Sequence, residues 1–390
     1  MRHPAYPSEL EHWWLDKARK VTGISDAAAC LDSLEKEVRI LSERFTTDRA
    51  AGFGGYTQDE RFLLAYGLFF FPQNFVRTQF VLAELALRHG WPAARPGETL
   101  RVLDLGCGLG AASFAALQHL AAAGTPVHLH ATDRSAASLK QMQELFAAQH
   151  ALWQQATLDT SVSDLCASNE APGGAAGGWD LVLISFALNE ALESAGDELL
   201  DAWLRGWMDR LSPSGMFILI EPAGNETSVR VEQLRDWVTA NGIARIAAPC
   251  LHHDPCPLLA RGTNWCHEVR RWGVPDTVQF LNRRLFRSLS DVKFSFIALA
   301  PGDPPPANAG AEIFRLVAPM HPVNGRVVTV GCAADGQVHD YELLTRGLTR
   351  PQERDLLLLE RGDLIRAESP QLVGDQGVLR AQMFKAVSGA

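Results

Sequence analysis

The sequence contains no apolar run long enough to cross a lipid bilayer. Its longest runs, Phe62–Phe71 and Phe217–Ile220, fall short of the roughly 20 residues that a membrane-spanning helix needs. Acidic side chains at Glu9, Glu11 and Asp16 interrupt the amino-terminal segment, a pattern that predicts neither a secretory nor an organelle-targeting leader. We therefore expect a cytoplasmic protein without a membrane partner.

An excess of positive charge is also lacking, and so is a disulfide framework. The net charge of −9 argues against a protein that coats nucleic acid non-specifically, because such binding depends on neutralising phosphates. Seven cysteines in 390 residues are too few for a disulfide scaffold. Three of them, Cys250, Cys256 and Cys266, nevertheless lie within 17 residues. In a reducing compartment such crowding indicates a metal site.

The distribution of apolar residues predicts an α/β protein with several regions. Residues 1–95 have helical spacing, and strands and helices alternate over 96–245, which is typical of a doubly wound, mostly parallel sheet. Residues 246–300 are rich in cysteine and histidine, and they also contain the final strands of the core. A proline-rich link then leads to short strand-like segments, which predict a small β-rich carboxyl-terminal domain over 311–390.

A glycine-rich segment follows the first predicted strand and opens a helix. It reads Asp104-Leu-Gly106-Cys-Gly108-Leu-Gly110, and glycines at this place let the backbone approach a ligand beside the free N–H groups of the helix. Dinucleotide enzymes use a related loop, but their spacing is G-x-G-x-x-G. The G-x-G-x-G spacing and the preceding Asp104, placed to hold an amino-acid group, favour S-adenosylmethionine. We expect a class I methyltransferase fold.

Two further acids extend this predicted cofactor site. Asp133 ends the second predicted strand, 23 residues after Gly110, where a carboxylate can bind both ribose hydroxyls. Asp159 follows the next predicted strand and is either an adenine contact or an ordinary turn residue.

The methyl acceptor is harder to place, because the chain lacks the Asn/Asp-Pro-Pro-aromatic motif of amino-group methyltransferases. Ligands of such sheets bind at the carboxyl ends of the strands. Asn189 and Glu190, after the fourth predicted strand, are therefore weak candidates for acceptor binding. Capping of the next helix is an equally good interpretation, and the catalytic residue stays unknown.

The crowded cysteines offer soft thiolate ligands, which suit zinc or an iron–sulfur cluster. Cys250, Cys256 and Cys266 need a fourth partner. Cys332, at the end of a predicted strand, is the best remaining cysteine. Three histidines are the zinc-type alternatives: His252, His253 and His267. A nucleophilic Cys250, as in pyrimidine C5 methyltransferases, is disfavoured because that thiolate commonly comes from the loop after the fourth strand.

The Cys/His segment resembles that of a known family. It resembles the methyltransferase-like family of mitochondrial small-ribosomal-subunit assembly factors and its bacterial relatives. The motifs that carry this resemblance are Ala248-Pro-Cys250, Cys256-Pro, Trp265-Cys-His267 and Lys293-Phe-Ser-Phe296. The resemblance covers roughly residues 55–365. Arg361 departs from it, since a tryptophan often stands there.

The resemblance implies an S-adenosylmethionine fold, a 4Fe–4S cluster and binding to the small ribosomal subunit. By position, the cluster ligands would be Cys250, Cys256, Cys266 and Cys332. Two functions remain open. One is methylation of ribosomal RNA. The other is a catalytically inactive assembly or RNA-binding factor that uses the fold as a scaffold, with zinc as the alternative metal.

Overall fold

The structure is a computed structural model that describes nine stretches of the chain: residues 4–46, 59–92, 97–165, 178–188, 197–262, 264–287, 289–304, 310–374 and 377–387. Asn189 and Glu190 lie outside these stretches. The chain divides into two compact units. The first unit comprises Met1–Ala83, Pro92–Ile220 and Trp272–Val292, and the second comprises Glu84–Trp91, Glu221–Arg271 and Lys293–Ala390.

Eleven α-helices lie within the described stretches. In chain order they are α1 (Ser8–Thr22), α2 (Ala27–Ser33), α3 (Glu35–Thr46), α4 (Glu60–His89), α5 (Ala111–Ala122), α6 (Ala136–Ala148), α7 (Asp197–Met208), α8 (Asn225–Ala240), α9 (Pro257–Arg261), α10 (Asp276–Arg284) and α11 (Arg350–Leu357). Of these described helices, none combines the length and apolar character that a bilayer crossing requires.

Sixteen β-strands accompany them in the same stretches. They are β1 (Leu100–Leu105), β2 (Val127–Asp133), β3 (Ala156–Val162), β4 (Trp179–Ser185), β5 (Leu211–Glu221), β6 (Arg245–Ala248), β7 (Glu268–Arg271), β8 (Asp291–Ala300), β9 (Ile313–Leu316), β10 (His321–Val323), β11 (Arg326–Ala333), β12 (Val338–Leu344), β13 (Leu364–Glu368), β14 (Gln371–Val373), β15 (Val378–Ala381) and β16 (Met383–Ala386).

Parallel strands in the order β3-β2-β1-β4-β5 form the first unit's sheet. In β1 and β4 almost every side chain is buried, as expected where helices cover a parallel sheet. Helix α5 packs on β2 and β4, and α6 packs on β2 and β3. This is an α/β, class I methyltransferase-like fold, in which the carboxyl ends of β1, β2 and β4 meet at one edge.

The second unit contains β6, which pairs antiparallel with β8, and β7, which also pairs with β8. It also holds a separate eight-stranded sheet in the order β14-β15-β12-β11-β9-β13-β16, with β10 beside β11. The rings of Phe314 and Tyr341 stack there with centroids 3.8 Å apart. A Cβ atom at Gly331 would lie 2.2 Å from the Phe314 ring, so only glycine fits under this stack. The next residue along β11 is Cys332.

Candidate functional site

The glycine loop joins β1 to α5 at the carboxyl edge of the first unit's sheet. Gly106 has a φ of 69°, and a Cβ atom on it would come within 2.6 Å of the Ala187 Cβ after β4. Its glycine therefore lets the loops after β1 and β4 touch. Gly108 also has a positive φ, of 54°, but a Cβ atom there would meet nothing within 4 Å. Gly110 immediately precedes the first residue of α5. At Gly108 the loop thus presents bare backbone to an open space.

Asp133 fixes this loop from the neighbouring strand. One carboxylate oxygen accepts a 2.8 Å hydrogen bond from the Gly108 N–H, and the other accepts one of 2.8 Å from the Ser135 N–H. Partial burial raises the pKa of Asp133, and those two backbone bonds oppose the rise. Each carboxylate oxygen keeps a second lone pair, so the side chain can still accept from the two hydroxyls of a ribose.

Asp104 lies in β1 beneath the loop and is fully buried. Its Oδ2 accepts a 2.5 Å hydrogen bond from the Ser113 hydroxyl of α5, while Oδ1 has no hydrogen-bond partner among the described residues. Burial raises the pKa of Asp104 to about 7. An unpaired buried acceptor is costly, so the site favours a ligand that brings a donor, such as an ammonium group. Sequence reasoning missed Ser113.

Asp159 lies inside β3 rather than after it. It stands in the middle of β3, the edge strand of the sheet. Its carboxylate is exposed and accepts a 2.8 Å hydrogen bond from His128 on β2. The residues that follow β3 are Ser163 and Asp164, and the Ser163 N–H donates to the Asp133 carbonyl at 3.1 Å. Asp164, rather than Asp159, therefore lies at the carboxyl end of β3, where ligands of such sheets bind. The sequence alone did not indicate Asp164. The role of Asp159 stays a prediction.

The carboxyl end of β4 continues into Phe186, which has a φ of 61°. Its N–H donates to the Ile220 carbonyl at 2.8 Å, which holds this unusual backbone in place. The two acceptor candidates, Asn189 and Glu190, fall just beyond the described part of this loop, so their roles stay predictions.

All four predicted metal ligands lie in the second unit. Cys250 follows β6, Cys256 precedes α9, Cys266 precedes β7, and Cys332 lies in β11. The four side chains line one cavity of about 40 Å³. Residues up to 82 positions apart in the chain therefore share one space.

The cavity does not hold a preformed coordination shell. Among the residues that the structure describes, no three His, Cys, Asp or Glu side chains have the geometry of a metal site. His252 also lines the cavity, and its Nε2 lies 3.6 Å from the Cys332 sulfur. His267 lines it too, whereas His253 turns its Nε2 to the Ile246 N–H at 2.9 Å.

One face of α8 anchors the segments that carry the first three cysteines. Asp236 accepts from the Cys256 N–H at 2.9 and 3.1 Å, and Glu232 accepts from the Cys266 N–H. Arg235, between them on the helix, donates to the His252 carbonyl at 2.9 Å and to Asp236 at 2.5 Å. Each of three consecutive loops is therefore tied to the same turn of helix.

Two further arginines bind the backbone at Pro249 and Cys250. Arg315 is buried and donates to the Pro249 carbonyl at 3.0 Å and to Glu268 at 3.0 Å. Arg88 donates to the Cys250 carbonyl at 2.9 Å. Burial would lower the pKa of Arg315, but the neighbouring carboxylates, Glu268 among them, raise it overall. The guanidinium is therefore charged and fixes the backbone from which Cys250 projects.

Arg361 performs a similar task for Cys266. Its Nε donates to the His267 carbonyl at 2.9 Å, and its Nη2 donates to the Trp265 carbonyl at 2.5 Å. The indole N–H of Trp265 donates in turn to the Ala223 carbonyl at 3.0 Å. The arginine that departs from the resembled pattern thus clamps the carbonyls on both sides of the cysteine.

The thiols themselves are hard to ionise in this state. Burial first, and then the charges of neighbouring cysteines, raise the pKa values of Cys256 and Cys332 to about 12. The pKa of Cys266 rises for the same reasons. Thiolates crowded into an apolar cavity repel one another, and a bound cation is what removes that repulsion.

Comparison with solved structures returns methyltransferases. The CMeT domain of the citrinin polyketide synthase has 13% identity and a TM-score of 0.38 over 77% of this chain and 81% of that chain. A TehB-like SAM-dependent methyltransferase from Corynebacterium glutamicum has 13% identity and a TM-score of 0.31, over 57% and 89%. The glycopeptide N-methyltransferase MtfA, complexed with S-adenosylmethionine, has 21% identity and a TM-score of 0.24 over 32% of this chain. The match covers 46% of MtfA, so this chain spans about half the length of that protein.

Comparison with curated protein sequences returns no match. A family profile, in contrast, matches residues 61–368, about four-fifths of the chain. The matched range includes the glycine loop and all four cysteines of the cavity. The chain belongs to the family described as mitochondrial small ribosomal subunit Rsm22.

Proposed function

We propose that this protein is an S-adenosylmethionine-dependent, methyltransferase-like protein that carries a 4Fe–4S cluster and acts on the small ribosomal subunit, in methylation of its RNA, in its assembly, or in both. The observation that carries the cofactor assignment is the bond from Gly108 to Asp133, which joins a bare glycine loop to a half-buried carboxylate at the carboxyl edge of a parallel sheet.

The donor site fits S-adenosylmethionine at three points. Asp133 would bind the ribose hydroxyls, and the buried, unpaired Oδ1 of Asp104 would accept from the ammonium of the amino-acid portion. A Cβ atom at Gly108 would meet nothing within 4 Å, so the loop leaves room for a ligand there. The bound cofactor supplies a methyl group on a sulfonium, and the chain's part is to hold donor and acceptor in line.

The cysteine cavity fits a metal group by its donors. Cys250, Cys256, Cys266 and Cys332 supply four soft sulfur ligands in a half-buried space, which suits an iron–sulfur cluster. The anchoring of three loops to α8 would keep the spacing of those ligands. His252 supports zinc as the second candidate, because its Nε2 lies 3.6 Å from the Cys332 sulfur and imidazole is a common zinc ligand.

The partner assignment rests on family membership, since the family's description names the small ribosomal subunit. Anaerobically purified protein should contain about four iron and four acid-labile sulfide per chain, and it should bind S-adenosylmethionine in calorimetry. Stoichiometric zinc without sulfide would replace the cluster by the second candidate. Isolated small-subunit particles with radiolabelled cofactor would then separate the two activities. Methyl incorporation means catalysis, whereas stable binding without incorporation means an assembly or RNA-binding factor.

A further inference from the structure

Arg77, in the first unit, has a buried guanidinium nitrogen without a hydrogen-bond partner among the described residues, and the proposed donor site does not yet explain it. Arg77, on α4, places its guanidinium carbon 5.0 Å from the centre of the Phe186 ring, within range of a cation–π contact. Its Nη1 donates to the Asn74 side chain at 2.5 Å, and Asn74 donates to the Tyr66 hydroxyl at 2.8 Å. The Nε of Arg77 is buried and has no hydrogen-bond partner in the described part of the chain.

The charge of Arg77 is therefore only partly compensated. Burial lowers the pKa of Arg77 to about 10, and Tyr66 opposes that change, so the group is still cationic at neutral pH. Among the described residues Tyr66 is the one charged or titratable group that acts on its pKa, and no carboxylate does. A cation taken from water without a counter-ion destabilises the fold unless a ligand supplies the opposite charge.

The place of Arg77 relative to the glycine loop suggests which anion it would meet. Phe186 directly follows β4, and Ala187 contacts Gly106 of the loop. Asp133, in contrast, ends β2 on the other side of β1. A nucleoside whose ribose lies at Asp133 and whose tail crosses the glycine loop would direct that tail towards Phe186. The tail of S-adenosylmethionine ends in one ammonium and one carboxylate.

We infer that Arg77 forms an anion subsite of the donor pocket and binds the carboxylate of the amino-acid portion of S-adenosylmethionine. The inference rests on the proposed function, in that the pocket must bind this nucleoside. Arg77 is then a ligand-binding residue whose free Nε completes a charged hydrogen bond. The cation–π contact with Phe186 and the bond to Asn74 hold the guanidinium in place before the ligand arrives.

Calorimetry with two unreactive ligands tests the assignment. One ligand is S-adenosylhomocysteine, and the other is 5′-deoxy-5′-(3-aminopropylthio)adenosine, which differs from it only by lacking the carboxylate. The parent should bind the first at least roughly 10-fold more tightly, the size of one charged hydrogen bond. Arg77→Gln should bind both ligands with similar affinity, and Arg77→Lys should keep part of the preference. Asp133→Asn, the matched control, should weaken both ligands by the same factor.

Three results would overturn the inference. The first is a parent that does not distinguish the two ligands, a measurement that needs no variant to fold. The second is a preference that persists in Arg77→Gln, which would assign the carboxylate to another group. The third is a parent that binds neither ligand, which would refute the nucleoside pocket itself and this subsite with it.

Discussion

The loops that carry the cysteines depend on a small number of charged bonds to α8, and Asp236→Ala removes two of these. The variant removes both hydrogen bonds to the Cys256 N–H and leaves the guanidinium of Arg235 without its 2.5 Å partner. The Arg235 side chain is only 3% exposed, whereas that of Asp236 is 26% exposed. Water can therefore reach the site of the missing carboxylate but can do little for the guanidinium.

These facts bound the expected change in the free energy of unfolding. Loss of one partner from a fully buried pair costs about 3–5 kcal/mol, and loss of a hydrogen bond to a charged group costs about 1.5–3 kcal/mol. Because Asp236 is partly exposed, we expect a value near the overlap of these ranges, about 2–4 kcal/mol. Asp236→Asn keeps an acceptor oxygen for the Cys256 N–H and should lose about half as much.

Urea unfolding followed by circular dichroism measures this change as a shift in midpoint at constant slope. Glu226→Ala on the same helix is the matched control. Glu226 pairs with Arg230, but their side chains are 73% and 45% exposed, so the loss should stay below about 0.5 kcal/mol. Equal losses in Asp236→Ala and Glu226→Ala would refute the view that α8 anchors the cysteine loops.

Three further outcomes follow from the two candidate sites. Asp133→Asn should weaken S-adenosylhomocysteine binding at least roughly 10-fold in calorimetry, since it removes a charged acceptor, while Asp159→Asn should leave the affinity unchanged. In ligand-free protein the pKa of Asp104 is higher in the folded state than in the unfolded state. Asp104 therefore stabilises the fold below about pH 4, and this contribution is lost as the pH rises to about 7. Urea unfolding should show that Asp104→Asn removes up to about 4 kcal/mol of this pH dependence. Cys332→Ser should lose its metal by elemental analysis, whereas Cys30→Ser, buried in the first unit, should keep it.

Strong local signals made part of the fold predictable from the sequence. The strand Leu100–Leu105 and the helix Ala111–Ala122 lie on either side of the glycine-rich segment, where the sequence predicts a strand and a helix, because glycines mark the junction between them. The strand at Ala156–Val162 carries little apolar signal, since it is the edge strand and alternates the exposed Thr157 and Asp159 with the half-buried Leu158 and Thr160. The missed length of this strand is why Asp159 was expected after it.

The candidate sites divide in a related way, by whether a sequence pattern marks the residue. The glycine loop and Asp133 are 25 residues apart, but each lies at the end of a predicted strand, so strand order alone predicts that they meet. The anchors of the cysteine loops, Glu232, Arg235 and Asp236, have the spacing of an ordinary solvated helix face. Only the folded chain shows that their partners are backbone groups 17–34 residues away.

The two sites use one structural device, and this explains what the sequence can and cannot predict. In each, a carboxylate from a regular element accepts from the backbone N–H of a loop residue: Asp133 from Gly108, and Asp236 from Cys256. A residue that contacts a ligand is restricted to a few chemical types, so its identity can be read from composition and spacing. A residue that holds a loop needs only an acceptor within reach, and many sequences can provide one. The proposed ligands Asp133 and the four cysteines are therefore readable from the sequence, whereas Asp236, which only holds a loop, must be found in the fold.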